Sequence, residues 1–254
     1  MSGYIEKGVI RLHEKVGTDI WRMQAEWPLT AKEAKPGQFV HVSVNDSSKL
    51  LRRPISIAGT DPVKGLVEII YRVVGEGTEC LSYMKVGDKI DSLGPLGTSF
   101  SVNATHIVGV GGGVGIAPIL FLARNALPGQ MTVVIGGRNK AEVFWKDFFP
   151  ENMRKLIVTT DDGSCGIKGF SVSVLPDIFE KGNVNQVCVC GPAIMMRTTA
   201  EMAGKFGVYC EVSMERRMGC GTGTCLACVC DKIKGGHYKV CLDGPVFNAG
   251  EVIL

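Results

Sequence analysis

Thr105-His106-Ile107-Val108-Gly109-Val110-Gly111-Gly112-Gly113-Val114-Gly115-Ile116-Ala117-Pro118 is the stretch on which the fold turns. From Ile107 to Ala123 the chain runs 17 residues without a charge. A membrane-spanning helix needs about 20 predominantly apolar residues. Glycines at 109, 111, 112, 113 and 115 would interrupt such a helix in its middle. A strand, a glycine turn and a helix start fit better, with Pro118 in the first helical turn, where its missing N–H costs nothing.

Downstream the same rhythm repeats. Strand-like runs (His106–Val110, Met131–Ile135, Lys155–Thr159, Gln186–Val189) alternate with helix-like ones (Ile116–Ala126, Glu142–Phe148, Val172–Glu180, Ala193–Phe206). That alternation predicts a parallel sheet with helices on its faces, over residues 103–209. Upstream, residues 1–102 read as short strands (Gly8–Leu12, Ile20–Ala25, Gln38–Val44, Val67–Val74) separated by Pro36-Gly37, Asp61-Pro62 and Gly87-Asp88. They predict an antiparallel β-barrel with one inserted helix, from about Thr78 to Lys85.

Residues 210–254 break the pattern. Cys220-Gly221-Thr222-Gly223-Thr224-Cys225-Leu226-Ala227-Cys228 has C-x4-C-x2-C spacing, and Cys241 follows after twelve intervening residues. This is the plant-type spacing for a [2Fe–2S] cluster. Glycines at 219, 221 and 223 let the backbone aim N–H groups at the sulfurs. A four-cysteine zinc site is the alternative, although zinc sites more often show two separated C-x2-C knuckles. Cys230 competes with Cys228, which alone has the x2 spacing from Cys225. The expected ligands are Cys220, Cys225, Cys228 and Cys241. The remaining cysteines read as small buried hydrophobes.

Two further patterns suit phosphates. Arg53-Pro54-Ile55-Ser56 sets a basic residue, a fixed φ and a hydroxyl along one strand. Ile70-Tyr71-Arg72 leads through Gly75 to Gly77-Thr78, a strand, a glycine turn and a helix start. The glycine run does not satisfy the G-x-G-x-x-G fingerprint, because Ile116 or Pro118 stands at its last position. It reads G-x-G-x-x-P, and Cys190-Gly191-Pro192 makes a second strand-to-helix crossing. Arg138 ends the second strand and reads equally as a phosphate contact or a solvated arginine.

With these motifs the chain resembles the ferredoxin–NADP reductase superfamily. Together with Glu215-Arg216-Arg217-Met218-Gly219-Cys220 and Cys241-Leu242-Asp243-Gly244-Pro245-Val246-Phe247, it is similar over its whole length to the electron-transfer subunits of dihydroorotate dehydrogenase B. The resemblance implies FAD on Arg53, Pro54, Ile55, Ser56, Ile70, Tyr71, Arg72, Gly77 and Thr78. It implies NAD near Gly111, Gly112, Gly113, Gly115, Pro118, Cys190, Gly191 and Pro192, and the cluster on the four cysteines above. Ile55 stands where many superfamily members place an aromatic ring. No catalytic acid, base or nucleophile is assigned. The implied role is electron transfer in pyrimidine biosynthesis, from a partner subunit bearing FMN through the cluster and FAD to NAD⁺, in a heterotetramer of two plus two chains. The other reading is an NAD(P)H reductase subunit of a different redox complex, of ferredoxin–NADP reductase or sulfhydrogenase type; a zinc-stabilised binding module is a third.

Composition bounds these readings. Of 254 residues, 33 are glycine, about 13% against a usual ~7%, which suits backbone brought close to ligands. The net charge of +3 gives no basic stripe for nucleic acid. Met1–Lys7 holds no apolar leader core, so a cytoplasmic chain with reduced thiols is expected. The three pieces use all 254 residues, leaving no room for a dihydroorotate-oxidising barrel of about 250 residues. A separate catalytic chain is therefore expected.

Overall fold

A computed structural model describes residues 3–44 and 48–254; Met1 and Ser2, part of the segment expected to lack a leader, lie outside it. Six strands close an antiparallel barrel: β1 (Tyr4–Gly17), β2 (Ile20–Glu26), β3 (Phe39–Val42), β4 (Arg53–Asp61), β5 (Leu66–Arg72) and β6 (Lys89–Leu96), in the order β1-β2-β5-β4-β3-β6. Two short helices, α1 (Pro28–Glu33) and α2 (Glu76–Ser82), join strands. Alternation sets the strand faces. On β3, Val40 and Val42 point into the barrel core, while Phe39 packs outward against the rest of the chain. On β5, Ile69 and Tyr71 point inward and Ile70 packs outward.

The second body is a seven-stranded sheet. It contains β7 (Ile107–Gly112), β8 (Met131–Gly137), β9 (Lys155–Thr160), β10 (Ile167–Lys168), β11 (Gln186–Cys190), β12 (Tyr209–Ser213) and β15 (Val246–Asn248), in the order β10-β9-β8-β7-β11-β12-β15. All neighbours pair in parallel except β12 with β15. The glycine run behaves as expected: β7, a tight turn, then α3 (Ile116–Asn125). Residues 116–123 of α3 are all buried, because the helix lies between the sheet and the barrel and sends Phe121 into the barrel core. That explains the uncharged stretch. No helix among the described residues is long and apolar enough to cross a membrane. Two more helices, α4 (Leu175–Lys181) and α5 (Ala193–Lys205), complete the body, and residues 140–148 form a kinked 3₁₀ segment.

The tail adds a small hairpin, β13 (Val229–Asp231) with β14 (His237–Lys239). The expected division after residue 209 falls inside β12, and β15 returns from the tail to pair with it. The third piece is therefore sewn into the sheet of the second.

Barrel and sheet meet at a buried charge cluster. Glu68 of β5 accepts from Arg22 Nε and Gln24 Nε2, both at 2.8 Å, and from Arg124 Nη1 of α3 at 2.8 Å. Burial pushes its carboxyl up, but the charge of Arg124 and the hydrogen bonds from Arg124, Gln24 and Arg22 outweigh this and hold it below the ordinary value. Arg124→Ala leaves Glu68 its bonds from Arg22 and Gln24 and removes one charged hydrogen bond, so it is expected to destabilise the chain by about 2 kcal/mol, read by denaturant unfolding.

Two histidines, His13 half-buried and His106 buried, set the acid limit. His13 bridges Met84 O at 2.7 Å and Tyr71 Oη at 2.9 Å, and His106 bridges Gly182 O at 2.6 Å and Thr132 Oγ1 at 2.9 Å. Burial lowers both below the ordinary value of 6.5. The folded chain thus favours neutral imidazoles, while the unfolded chain takes up protons below about pH 6.5. Stability falls as pH drops through that value, and Glu68 adds to the loss further down. The Tm is expected to be level just above pH 7 and to fall steadily towards pH 4.

Candidate flavin and iron–sulfur site

The cysteine loop places its thiols in two pairs. Cys220 N donates to Cys225 Sγ and Cys225 N donates back to Cys220 Sγ, both at 3.4 Å. Cys241 N donates to Cys228 Sγ at 3.4 Å. Thr222 N adds a bond to Cys220 Sγ at 3.4 Å, and Gly223 N one to Cys241 Sγ at 3.2 Å. Cys230 stands in β13 opposite Tyr238, outside this set of contacts. All ten cysteines are free. Among the described residues, no three His, Cys, Asp or Glu side chains close around a single ion.

The donor set fits a two-iron cluster. Two pairs of thiols match two irons, and main-chain N–H groups already point at the sulfurs. At Cys220, burial pushes the thiol up, but the hydrogen bonds from Thr222 and Cys225 prevail and bring it down to about 5. Cys241 is pushed up to about 12 by burial and by crowding against Cys228. Bound cationic iron offsets crowding of that kind.

Two adjoining cavities lie beside the loop. The first, of about 240 Å³, is lined by Phe39, Pro54, Ile55, Ser56, Ile70, Tyr71, Arg72 and Thr78 of the barrel. Val114, Ser213–Arg216, Met218 and Pro245 close it from the other side. The second, of about 490 Å³, has Lys49, Arg52, Arg53 and Arg217 in its walls and shares Pro54 and Met218 with the first. An apolar chamber joined to a basic groove fits a flavin ring carried on phosphates. Arg72 Nε is buried without a protein partner, as a ligand-facing donor would be. The Arg53 guanidinium lies over Gly77, which brings these two expected residues to the edge of the cavities. Two side chains turn away. The Tyr71 phenol points into the barrel and bonds His13, and Ile55 packs in the same core, so each meets the cavity from its inner side.

The sequence reading missed Ser213, Met214, Glu215 and Arg216 as wall residues. Their signal is position: they follow the C-terminal end of a parallel strand, where such sheets bind ligands. Crowding by neighbouring groups pushes the Glu215 carboxyl up, although the residue keeps an exposed edge.

The nucleotide loops meet where the strand order reverses, between β7 and β11, with Gly111 opposite Cys190. A Cβ on Gly115 would stand 2.6 Å from the Cys190 carbonyl carbon and oxygen. Gly191 packs on Gly112, and Pro192 lies beside the same residue. Thus Gly111, Gly112 and Gly115 meet Cys190, Gly191 and Pro192 at one crossing, while Gly113 faces open space and Pro118 is buried in the first turn of α3. Burial pushes the Cys190 thiol up to about 12 and keeps it neutral. Arg138 is paired with Glu142.

The electron transfer subunit of dihydroorotate dehydrogenase B (NAD⁺) from Desulforamulus reducens is 36% identical over 264 residues, covering 100% of this chain and 99% of the relative. The chain belongs to the family of dihydroorotate dehydrogenase B electron transfer subunits. The Bacillus caldolyticus member is 41% identical, covering 89% of this chain and 90% of its own. Residues 8–100 match the oxidoreductase FAD-binding domain family, and residues 215–253 match the iron–sulfur cluster binding domain of dihydroorotate dehydrogenase B. A solved NADH-dependent reduced ferredoxin–NADP oxidoreductase superposes with a TM-score of 0.87 at 36% identity, over 97% of this chain and 89% of that one.

Gly115→Ala tests the crevice. The added methyl must push the two crossings apart, because it meets backbone rather than a flexible side chain. NADH affinity is expected to fall at least tenfold by titration, with FAD content unchanged.

Proposed function

We propose that the chain is the electron-transfer subunit of an NAD⁺-dependent dihydroorotate dehydrogenase in pyrimidine biosynthesis. It carries electrons from the FMN of a separate catalytic subunit, by way of a [2Fe–2S] cluster and FAD held on its own residues, to NAD⁺. The observation that carries the reading is the meeting of a two-by-two thiol set with a cavity walled by Pro54, Ile55, Ser56, Ile70, Tyr71, Arg72 and Thr78 in one chain. Met218 and Pro245, which line that cavity, stand two residues before Cys220 and four after Cys241. When bound, FAD handles a hydride's two electrons together and the cluster carries them singly, joining the two kinds of chemistry.

In this reading Cys220, Cys225, Cys228 and Cys241 hold the cluster. Arg53, Pro54, Ile55 and Ser56, with Ile70, Tyr71, Arg72, Gly77 and Thr78, hold FAD, and the basic groove takes its phosphates. The crevice at Gly111–Gly113, Gly115, Pro118 and Cys190–Pro192 receives NAD. The barrel occupies residues 1–102, the nucleotide domain 103–209 and the cluster domain 210–254, with β12 and β15 shared across the last boundary. Thiol burial is uneven: Cys225 is exposed and Cys220 half-buried, while Cys228 and Cys241 are buried. Leu226, beside the open pair, is 60% exposed and holds a left-handed φ of 59°. This open edge suits the approach of the FMN subunit, in a complex of two plus two chains. Ten free cysteines fit the reducing cytoplasm.

The structural likeness to the ferredoxin–NADP oxidoreductase, also at 36% identity, favours one second reading: a reductase subunit of another complex. Affinity purification with cofactor extraction separates the two. FAD, about two irons per chain and a co-purifying chain that oxidises dihydroorotate with NAD⁺ are expected. A ferredoxin-linked partner would support the second reading, and zinc without flavin would overturn both. Cys228→Ser is expected to lose iron and its visible absorbance while keeping FAD; Cys230→Ser is expected to keep both.

A further inference from the structure

His41 lies between the flavin strand and the cysteine loop. It follows Val40 on β3, whose alternation turns it to the barrel's outer face, and it is fully buried. In register it stands opposite Pro54, a residue of both cavities, on one side and Leu93 of β6 on the other. A Cβ on Gly221 would come within 2.6 Å of His41 Nδ1, so the imidazole lies directly against the loop between Cys220 and Thr222. Neither ring nitrogen makes a hydrogen bond of good geometry, although the main chains of Arg52 and Cys220 lie near enough to act on the buried ring. A neutral imidazole carries one N–H donor, and burying it unpaired is costly. The main-chain N–H groups of the loop already serve the cysteine sulfurs. The imidazole brings a donor from the barrel to the same place.

We propose that His41 donates its ring N–H to a sulfur of the cluster held by this loop and thereby raises the cluster's reduction potential. Hydrogen bonds to cluster sulfurs favour the reduced, more negative form. The inference rests on the cluster reading above and adds a residue that is not one of the ligands. It also gives the ring N–H an acceptor of good geometry, which the nearby main chains of Arg52 and Cys220 do not.

The test uses the purified chain with FAD and cluster in place. Iron, sulfide and FAD are counted first; a chain that takes up no iron overturns the cluster reading, and this proposal with it. In iron-loaded His41→Phe, titration followed by electron paramagnetic resonance is expected to show a lower cluster potential. The one-electron equilibrium should move about tenfold, or about 59 mV. His41→Asn, which keeps an N–H donor, is expected to recover most of the shift, and the FAD potential should stay unchanged in both. In the wild-type chain carrying ¹⁵N-histidine, the reduced cluster should show a nitrogen coupling, which settles the matter even if His41→Phe fails to fold. A wild-type potential in iron-loaded His41→Phe, or no ¹⁵N coupling in the wild-type chain, overturns the proposal while leaving the cluster reading intact.

Discussion

Five residues, Gly244–Asn248, hold the three parts of the chain in one frame. Their last three form β15, which pairs with β12 through Val246 and Ser213, Phe247 and Val212, and Asn248 and Glu211. At the barrel's end, Thr98 N donates to Gly244 O at 2.6 Å and Thr98 Oγ1 donates to Val246 O at 2.8 Å. Met214 N donates to Pro245 O at 2.9 Å. Each such bond contributes only about 1 kcal/mol net, so the effect of the strip is chiefly geometric. Pro245 stands four residues from Cys241 and lines the flavin cavity. The strip thus fixes the last thiol, the cavity wall and the sheet edge together.

What could be read in the sequence was what is local along the chain. The Cys220–Cys228 loop, the Arg53–Ser56 strand and the strand–glycine–helix crossings each lie within a dozen residues or so. Their physical requirement is met by neighbours: a φ, a turn, a run of N–H groups. Strand parity in the folded barrel explains a detail. Ile55 and Tyr71 fall on the inner face of their strands, so in both the side chain serves the core while the strand borders the cavity.

What the sequence hid depends on distant partners. Helix α1 owes its start to Glu6 of β1, whose carboxylate accepts from Leu29 N at 2.9 Å and Thr30 N at 2.8 Å. Nothing near Pro28 announces that cap. The strand identity of β15 exists only because β12 offers an edge. Ser213–Arg216 become cavity walls because β12 ends there. His41 reads as a strand histidine until Gly221, far along the chain, is laid on it.

The seam around Glu68 bears on how such a protein works. A flavin and a nicotinamide on separate domains exchange a hydride only at contact distance, and two rigid bodies joined by a linker would have to find that geometry repeatedly. Here the linker is not the only connection. Arg124 reaches from α3 to Glu68 and also donates to Ala58 O at 3.2 Å, where Gly59 leaves room for the guanidinium. Arg22 holds the other side of Glu68 and lies 5.2 Å from the centre of the Phe148 ring, on the kinked segment of the nucleotide domain. Glu211, on the sheet, accepts from Ser101 N at 3.0 Å at the exit of the barrel. Opening at either point would part Glu68 from Arg124 or Glu211 from Ser101 and leave each carboxylate only the partners on its own side, Arg22 and Gln24 for the one and Gln186 for the other. The interface therefore favours one fixed arrangement of barrel and sheet.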